Sequence, residues 1–256
     1  MLTHDGLKRR RLHAYAQLTK GVDIIARIHF DSLTRLFNMN AKLSFVLAFA
    51  AACVTTAAVA QELKGDAQAG STKIAMCIGC HGIKGYQASF PEVYKVPMIS
   101  GQGAKYIAAS LNAYKTGERK HPTMRGIAQS LTEQDIADIS VYYEQHGTAV
   151  AVPDKAAEAK GKAAELLAKG ACVSCHGPNL NKPIDPSYPK IAGQHKDYLF
   201  VALKSYKVEG QATWGRNNGV MGGIAKQFTN AELKELAQYI STQPGELRVV
   251  PQSKFR

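Results

Sequence analysis

Two short segments of the chain share the pattern Cys-x-x-Cys-His. These pentads occupy residues 77–81 and 172–176, in matching frames 95 residues apart. The pattern is the attachment signal for a c-type haem. Its two thiols add to the two vinyl groups at one edge of the porphyrin, and the adjacent histidine supplies an axial nitrogen to the iron. The pentads therefore predict two covalent haems, held by Cys77 and Cys80 and by Cys172 and Cys175, with axial nitrogens from His81 and His176.

Two other uses of paired cysteines fit this sequence less well. A structural zinc site usually has its cysteine pairs about 15–20 residues apart, whereas the pentads are far more widely separated. A thioredoxin-like redox pair lies within a βαβ pattern, which this sequence lacks. The pentad cysteines are also the only ones after Cys53, so no further thiol is left for either kind of site.

The pentads open two copies of a longer repeat, and this repeat selects the second axial ligand of each iron. The aligned segments are residues 97–102 with 189–194 and residues 124–128 with 221–225. Methionine opposite the histidine raises the reduction potential of a haem. Met98 aligns with Lys190, whereas Met124 aligns with Met221. If both copies use the same type of ligand, the second axial ligand is Met124 in the first copy and Met221 in the second. The alternative role of these two methionines is to fill the apolar core.

The elements that must position these residues are predicted to be helices throughout. Thr132 with Asp135, and Thr229 with Glu232, have the spacing of capping boxes at a helix start, and apolar residues follow them at helical spacing. No segment shows the sustained alternation of a strand. The other predicted helices cover about residues 66–76 and 105–116 in the first copy and about 155–169 and 196–208 in the second. The predicted fold class is all-α.

Two glycines and two prolines of the repeat each have two interpretations. Gly70 and Gly161 lie in the first helix of their copies, where they either allow a close crossing with the last helix or have no special role. Pro97 and Pro189 begin the aligned segments after the pentads. Each proline either presents its carbonyl to the second nitrogen of the axial histidine or is an ordinary turn residue.

The first 60 residues contain an export signal. Met39 is followed by Lys42, an apolar run and a small-x-small cleavage motif at residues 58–60. This order predicts a signal peptide over residues 39–60, cleaved before Gln61. Residues 1–38 are interpreted as an over-called start, with an additional N-terminal extension as the alternative. Cys53 loosely resembles a lipoprotein acylation site, but we expect it to be removed with the signal peptide.

The charge of the chain limits the classes of partner. The whole chain has 32 Lys and Arg against 20 Asp and Glu, a balance of +12. Residues 61–256 hold 24 and 17, a balance of +7, and four ionised haem propionates would reduce it to about +3. This modest balance makes no case for nucleic acid binding, although a local basic patch would steer docking to an acidic partner.

The order of these features resembles the cytochrome c4 family over about residues 61–245. The shared features are the pentad, a Pro-x-Ile-x-Gly-Gln segment, a Tyr/Leu helix, a methionine loop and a terminal helix, repeated in tandem after a signal peptide. The resemblance implies two tandem class I cytochrome c domains, each wrapped around one covalent haem. These domains are expected at residues 61–146 and 155–256, with a linker at residues 147–154.

The resemblance also implies periplasmic electron transfer between redox proteins, with loose association at the membrane face. The implied donor is a protein such as a quinol-oxidising complex, and the implied acceptor is one such as a haem–copper terminal oxidase. Because histidine and methionine would fill both axial positions, we expect a carrier of single electrons and not an enzyme. The alternatives are a dihaem peroxidase-like enzyme, which needs a displaceable ligand, and a haem subunit of a larger oxidoreductase complex.

Some side chains near the predicted sites have both a functional and a plain interpretation. His121, His146 and His195 either compete for iron or are surface and turn residues, and we expect the second. The basic pair at residues 119–120 and Trp214 either contribute to partner docking or belong to a solvated face and to ordinary packing. The second interpretation is again expected.

Overall fold

The computed structural model of the protein describes residues 63–147 and 151–252. The predicted extension (residues 1–38), the predicted signal peptide (residues 39–60) and Cys53 lie outside the described residues, as do residues 148–150 of the predicted linker. Within the described ranges the chain is mostly helical. None of the helices found there is long and apolar enough to cross a membrane.

Each copy of the repeat contributes five helices to the described part of the chain. The first copy contains α1 (Ala67–Ser71), α2 (Ala75–His81), β1 (Gln87–Ala88), β2 (Tyr94–Lys95), α3 (Ala104–Thr116), β3 (Arg119–Lys120), α4 (Pro122–Gln129) and α5 (Glu133–Gln145). The second contains α6 (Gly161–Lys169), α7 (Cys172–His176), α8 (Lys196–Ser205), β4 (Gly215–Arg216), α9 (Gly219–Ala225) and α10 (Asn230–Thr242). The predicted helical class is confirmed, and the two-residue ladders β1–β2 and β3–β4 are its exceptions in these ranges.

Both predicted capping boxes are present. The hydroxyl of Thr132 accepts from the backbone N–H of Asp135 at 3.1 Å, and the Asp135 carboxylate accepts from Thr132 N at 3.0 Å. Thr229 and Glu232 repeat the arrangement at 3.2 and 2.8 Å. Since a capping box satisfies two N–H groups that a helix start leaves free, these pairs set the first residues of α5 and α10.

Some helix boundaries differ from the predicted ones. The helix predicted over residues 66–76 is divided, because α1 ends at Ser71 and α2 begins at Ala75. The hydroxyl of Ser71 donates to the carbonyl of Gln68 at 2.6 Å, and such local bonds compete with the helical ladder. In the second copy, α6 begins at Gly161, later than the predicted start near residue 155. Helix α8 ends at Ser205, earlier than the predicted end near residue 208.

Gly70 confirms the close crossing of the first and last helices, whereas Gly161 does not repeat it. A Cβ atom at Gly70 would lie 2.3 Å from the carbonyl oxygen of Asp138 and 2.8 Å from the Cβ of Tyr142. The backbones of α1 and α5 therefore touch at a point where only glycine fits. Gly161 instead has open space around its Cβ position and a φ of +55°, a left-handed conformation that favours glycine.

Two clusters of buried apolar residues form the cores, one in each copy. The first contains Ile74, Ile78, Ile107, Leu111, Tyr114, Ala128, Ile136, Ile139 and Tyr143. The second contains Leu166, Leu167, Leu180, Ala192, Leu199, Phe228, Leu233, Leu236, Ala237 and Ile240. Burying one Leu, Ile or Phe side chain stabilises a fold by about 1.5–3 kcal/mol, so each copy has an apolar core of its own.

The two copies pack against each other through the β3–β4 ladder and through the segment after α10. This C-terminal segment crosses to the first copy, where Arg248 N donates to the carbonyl of Ser100 at 3.0 Å. Farther along, Gln252 Nε2 donates to the hydroxyl of Tyr142 at 2.6 Å. The segment follows the second copy in sequence, but its hydrogen bonds hold it against the first.

Candidate haem sites

Helices α2 and α7 carry the two pentads, so the two cysteines and the histidine of each pentad are held within a short helix. The four pentad cysteines are half-buried and form no disulfide. One cavity of about 610 Å³ reaches both pentads. The predicted site residues that line it are Cys77, Cys80, His81, Met124, Cys172, Cys175, His176 and Met221. The structure thus brings all the residues predicted for the two sites to the wall of a single cavity.

Each pentad histidine is held by the carbonyl of the predicted proline. His81 Nδ1 lies 2.8 Å from the carbonyl oxygen of Pro97, and His176 Nδ1 lies 2.9 Å from that of Pro189. Burial lowers the pKa of both histidines, which favours the neutral ring. A neutral ring that donates from Nδ1 has its lone pair on Nε2, the atom then free to bind a metal. The interpretation in which each proline presents its carbonyl oxygen to the pentad histidine, as an acceptor for Nδ1–H, is confirmed.

The two predicted methionines occupy the same helical position. Met124 is the third residue of α4, and its N–H donates to the His121 side chain at 3.4 Å. Met221 is the third residue of α9, and its N–H donates to the Asn218 side chain at 2.9 Å. A side-chain cap of this kind fixes the first turn of a helix. Both methionines therefore lie in the capped first turn of a helix beside the cavity.

The pentad thiols lack the character of a redox or zinc site. Burial raises the pKa of the Cys77 thiol to about 11 and raises that of Cys172 as well, whereas a reactive Cys-x-x-Cys pair has a lowered thiol pKa. In residues 63–147 and 151–252, no three His, Cys, Asp or Glu side chains come together as ligands of a metal ion. The raised thiol pKa values therefore do not favour a reactive redox pair at either pentad.

Sequence reasoning missed two arginines that face each other between the copies. Arg119 lies opposite Arg216 in the β3–β4 ladder. Arg119 Nη2 donates to the hydroxyl of Tyr198 at 2.8 Å, and Arg216 Nη2 donates to the same oxygen at 3.1 Å. Although burial acts to raise it, the pKa of Tyr198 is lowered to about 8 by the two guanidinium charges. The repeat could have revealed the pair, because Arg119 and Arg216 each lie five residues before the aligned methionine of their copy.

The arginine pair corrects the expectation of a solvated face. Arg119 Nε is buried without a hydrogen-bond partner, and both arginines line the cavity. No ion pair joins either guanidinium to a carboxylate among the residues that the structure describes. Buried charges are normally paired. Two half-buried cations without carboxylate partners at a cavity wall therefore fit a ligand that brings its own carboxylates, as the propionates of haem do.

The three histidines outside the pentads in residues 63–147 and 151–252 lie at helix ends. His121 precedes α4, His146 follows α5 and His195 precedes α8. His146 Nδ1 lies 2.9 Å from the Ser100 hydroxyl. Trp214 lies half-buried at the cavity wall, with Lys204 Nζ 5.6 Å from its ring centre. These contacts agree with structural roles for His146 and Trp214, whereas His121 Nε2 is buried without a hydrogen-bond partner at the cavity wall.

Comparison with known proteins gives the family. The cytochrome c family model matches residues 67–146 and 159–244. The cytochrome c4 of Pseudomonas aeruginosa is 31% identical over 181 residues, covering 69% of this chain and 88% of that protein. A thiosulfate dehydrogenase electron acceptor of Stutzerimonas stutzeri is 30% identical over 188 residues, covering 68% and 82%. The crystal structure of reduced recombinant cytochrome c4 from Pseudomonas stutzeri covers 70% of this chain and 100% of its own, with 28% identity and a TM-score of 0.53.

These matches agree with the geometry of the cavity. The chain consists of two tandem class I cytochrome c domains and binds two covalent c-type haems. It is an electron carrier whose partners are redox proteins. The chain therefore belongs to the cytochrome c4 family.

Proposed function

We propose that this protein carries single electrons through the periplasm by means of two haems with His/Met axial ligation. Its donor is a protein such as a quinol-oxidising complex, and its acceptor is one such as a haem–copper terminal oxidase. In the first domain Cys77 and Cys80 form the thioether bonds, and His81 and Met124 are the axial ligands. In the second domain the corresponding residues are Cys172 and Cys175, and His176 and Met221.

The equivalence of the two methionines is the observation that supports this proposal most directly. Each one is the third residue of a short helix, and each helix is capped by the side chain three residues earlier. Met98 also lines the cavity, but Lys190 occupies its place in the second domain. Met124 and Met221 are the methionines that occupy equivalent positions in the two domains, so they would close both iron sites in the same way.

The side chains of the protein keep this ligand set unchanged between oxidation states. Haem iron supplies the one-electron chemistry when bound. The carbonyls of Pro97 and Pro189 orient the rings of His81 and His176 and keep the proton on Nδ1. Members of both buried apolar clusters line the cavity, and burial is one of the factors that set a haem potential. Electron transfer without a change of ligand keeps the reorganisation small.

Absorption spectra of the oxidised and reduced protein test the proposal. We expect two low-spin haems, each with the charge-transfer band of a methionine–iron bond at the red end of the oxidised spectrum. A high-spin band, or rapid turnover of peroxide, would contradict a carrier with two closed sites. That outcome would favour the dihaem peroxidase-like alternative, because such an enzyme needs one open or displaceable axial position.

The proposed location rests on the sequence of residues 39–60. We propose export through a signal peptide cleaved before Gln61, since attachment of c-type haem takes place outside the cytoplasm. N-terminal sequencing of the mature protein, purified with its haems, is expected to begin at Gln61. A mature chain that still contains Met39 or Cys53 would contradict this cleavage.

A second candidate function is supported by the relative named as a thiosulfate dehydrogenase electron acceptor. In that case the haems and ligands are the same, but the chain takes its electrons from one dedicated enzyme partner. Purification from the native source distinguishes the two cases. A stoichiometric complex that survives gel filtration favours the dedicated partner, whereas a free protein reduced by several donors favours the general carrier.

A further inference from the structure

Two buried glutamines reach across the interface between the domains. Gln102 and Gln194 end the aligned Pro-x-Ile-x-Gly-Gln segments, and each is only 4% exposed. Gln102 Nε2 donates to the carbonyl of Lys190 at 2.9 Å, and its Oε1 accepts from Lys190 N at 2.9 Å. Gln194 makes the same two bonds with Met98, at 2.9 and 3.0 Å. Each side-chain amide thus pairs with one residue of the other domain.

The residues that these glutamines bind lie directly beside the histidine-holding prolines. The N–H of Lys190 and the carbonyl of Pro189 belong to the same peptide group, and that carbonyl lies 2.9 Å from His176 Nδ1. The N–H of Met98 shares a peptide group with the carbonyl of Pro97 in the same way. A continuous series of hydrogen bonds therefore runs from the histidine of one domain, through one peptide group, to the glutamine of the other.

We propose that Gln102 and Gln194 are positioning residues that couple the two haem sites, each acting on the axial histidine of the opposite domain. Hydrogen bonds in series polarise one another, so an acceptor at the N–H end of a peptide group makes its carbonyl a stronger acceptor. A stronger bond at Nδ1–H makes the imidazole a more basic ligand, and a more basic ligand stabilises the oxidised iron. This inference rests on the proposed His/Met ligation.

Each glutamine is held in place by its own domain. Gln102 Oε1 also accepts from Gly103 N at 3.0 Å, and Gln194 Oε1 also accepts from His195 N at 3.0 Å. The side chains are therefore oriented before they meet the opposite domain, and an oriented group loses little entropy when it binds. Simple adhesion between domains would not require both amides to contact the peptide group that holds a histidine.

The test uses Gln102→Met and Gln194→Met in the full protein with both haems attached. Methionine keeps the length of the side chain and removes the amide. We expect Gln102→Met to raise the reduced-to-oxidised ratio of the second-domain haem at a fixed potential by about threefold or more. Gln194→Met is expected to do the same to the first-domain haem. NMR signals of the two axial methionines distinguish the haems during the redox titration.

A second readout follows the histidines themselves. In the reduced protein the Nδ1–H of His176 is expected to exchange faster with solvent in Gln102→Met, and that of His81 in Gln194→Met. Gln102→Glu and Gln194→Glu keep an acceptor opposite the same N–H and add negative charge. These variants are therefore expected to shift the same opposite-domain haem in the other direction.

Gln243→Met is the matched control. Gln243 is also buried, but its Oε1 accepts from Ala157 N at 2.8 Å within the second domain, so we expect both potentials and both exchange rates to stay unchanged. A glutamine variant that affects the haem of its own domain, both haems equally or neither haem would overturn the inference. The failure of the proposed function is recognised separately, since the wild-type protein would then lack the spectrum of two low-spin His/Met haems.

Discussion

Arg119 of the first domain and Arg216 of the second donate hydrogen bonds to one oxygen, the hydroxyl of Tyr198, at 2.8 and 3.1 Å. The rings of Tyr114 and Tyr206 lie beside the guanidinium groups, with their centres 4.7 and 5.4 Å away. Two like charges in one half-buried cluster repel each other unless negative charge is near. Tyrosine hydroxyls and aromatic faces therefore hold the pair together at the domain interface, beside the cavity for the haems.

Replacing the shared acceptor will destabilise this interface. Tyr198→Phe leaves N–H groups of two half-buried guanidiniums without their acceptor, and we expect the free energy of unfolding to fall by about 2 kcal/mol. Tyr188→Phe is the control, since Tyr188 is 39% exposed. Denaturant unfolding of the haem-loaded proteins measures both changes. Equal stability of Tyr198→Phe and the wild type would show that the hydroxyl is dispensable.

Loss of either proposed methionine ligand will affect one haem only. In Met124→Leu we expect the red-end charge-transfer band of one haem to disappear. The reduced-to-oxidised ratio of that haem at a fixed potential should fall at least about tenfold, because methionine ligation raises the potential. Met221→Leu should change the other haem in the same way. Met98→Leu should leave both haems unchanged, and a loss of the band in this control would assign the first-domain ligand to Met98 instead.

The contact of α1 with α5 predicts opposite effects of two glycine substitutions. Gly70→Ala places a methyl group 2.3 Å from the Asp138 carbonyl oxygen, so the helices must separate and we expect a loss of about 3 kcal/mol. Gly126→Ala has open space within 4 Å of its new methyl group. Since alanine favours the helix over glycine, that variant should gain up to about 1 kcal/mol. Thermal unfolding followed by circular dichroism compares them, and similar stabilities would argue against the close crossing.

The buried carboxylate of Asp138 predicts a loss of stability in acid. Lys73 Nζ lies 2.7 Å from Asp138 Oδ2, and its hydrogen bond is the main cause that lowers the pKa of Asp138 below the ordinary value. Because the folded pKa lies below the unfolded value of about 4, the stabilisation is complete only above about pH 5. It is lost as the pH falls through the folded pKa. We therefore expect the free energy of unfolding to decrease from about pH 5 downward.

Removal of the lysine partner tests the origin of that pH dependence. In Lys73→Met the decrease below about pH 5 should be shallower than in the wild type, since the pKa of Asp138 then lies closer to its unfolded value. Lys182→Met is the matched control, because Lys182 and its partner Asp154 are 62% and 91% exposed and exposed pairs contribute little. An unchanged pH profile in Lys73→Met would assign the acid sensitivity to other carboxylates.

Local chemistry in the sequence was sufficient to predict much of the fold and of the sites. The pentads predict the attachment residues, because thioether bonds need that spacing within one helical turn. The repeat chooses Met124 over Met98, and the structure gives Met124 and Met221 the same place in a capped helix. The capping boxes at Thr132 and Thr229 involve residues three apart, so they can be read directly from the chain.

Features that depend on how the two domains meet were decided only by the tertiary structure. Arg119 appears in the sequence as part of a basic surface pair, but the β3–β4 ladder buries it against Arg216 and Tyr198. Gln102 and Gln194 appear as the ends of a repeated segment, and only the packed interface places each amide on a peptide group of the other domain. Local spacing reports contacts within a helix or a turn. Contacts between residues about 80–100 positions apart depend on the relative placement of two folded units, which propensity and periodicity do not encode.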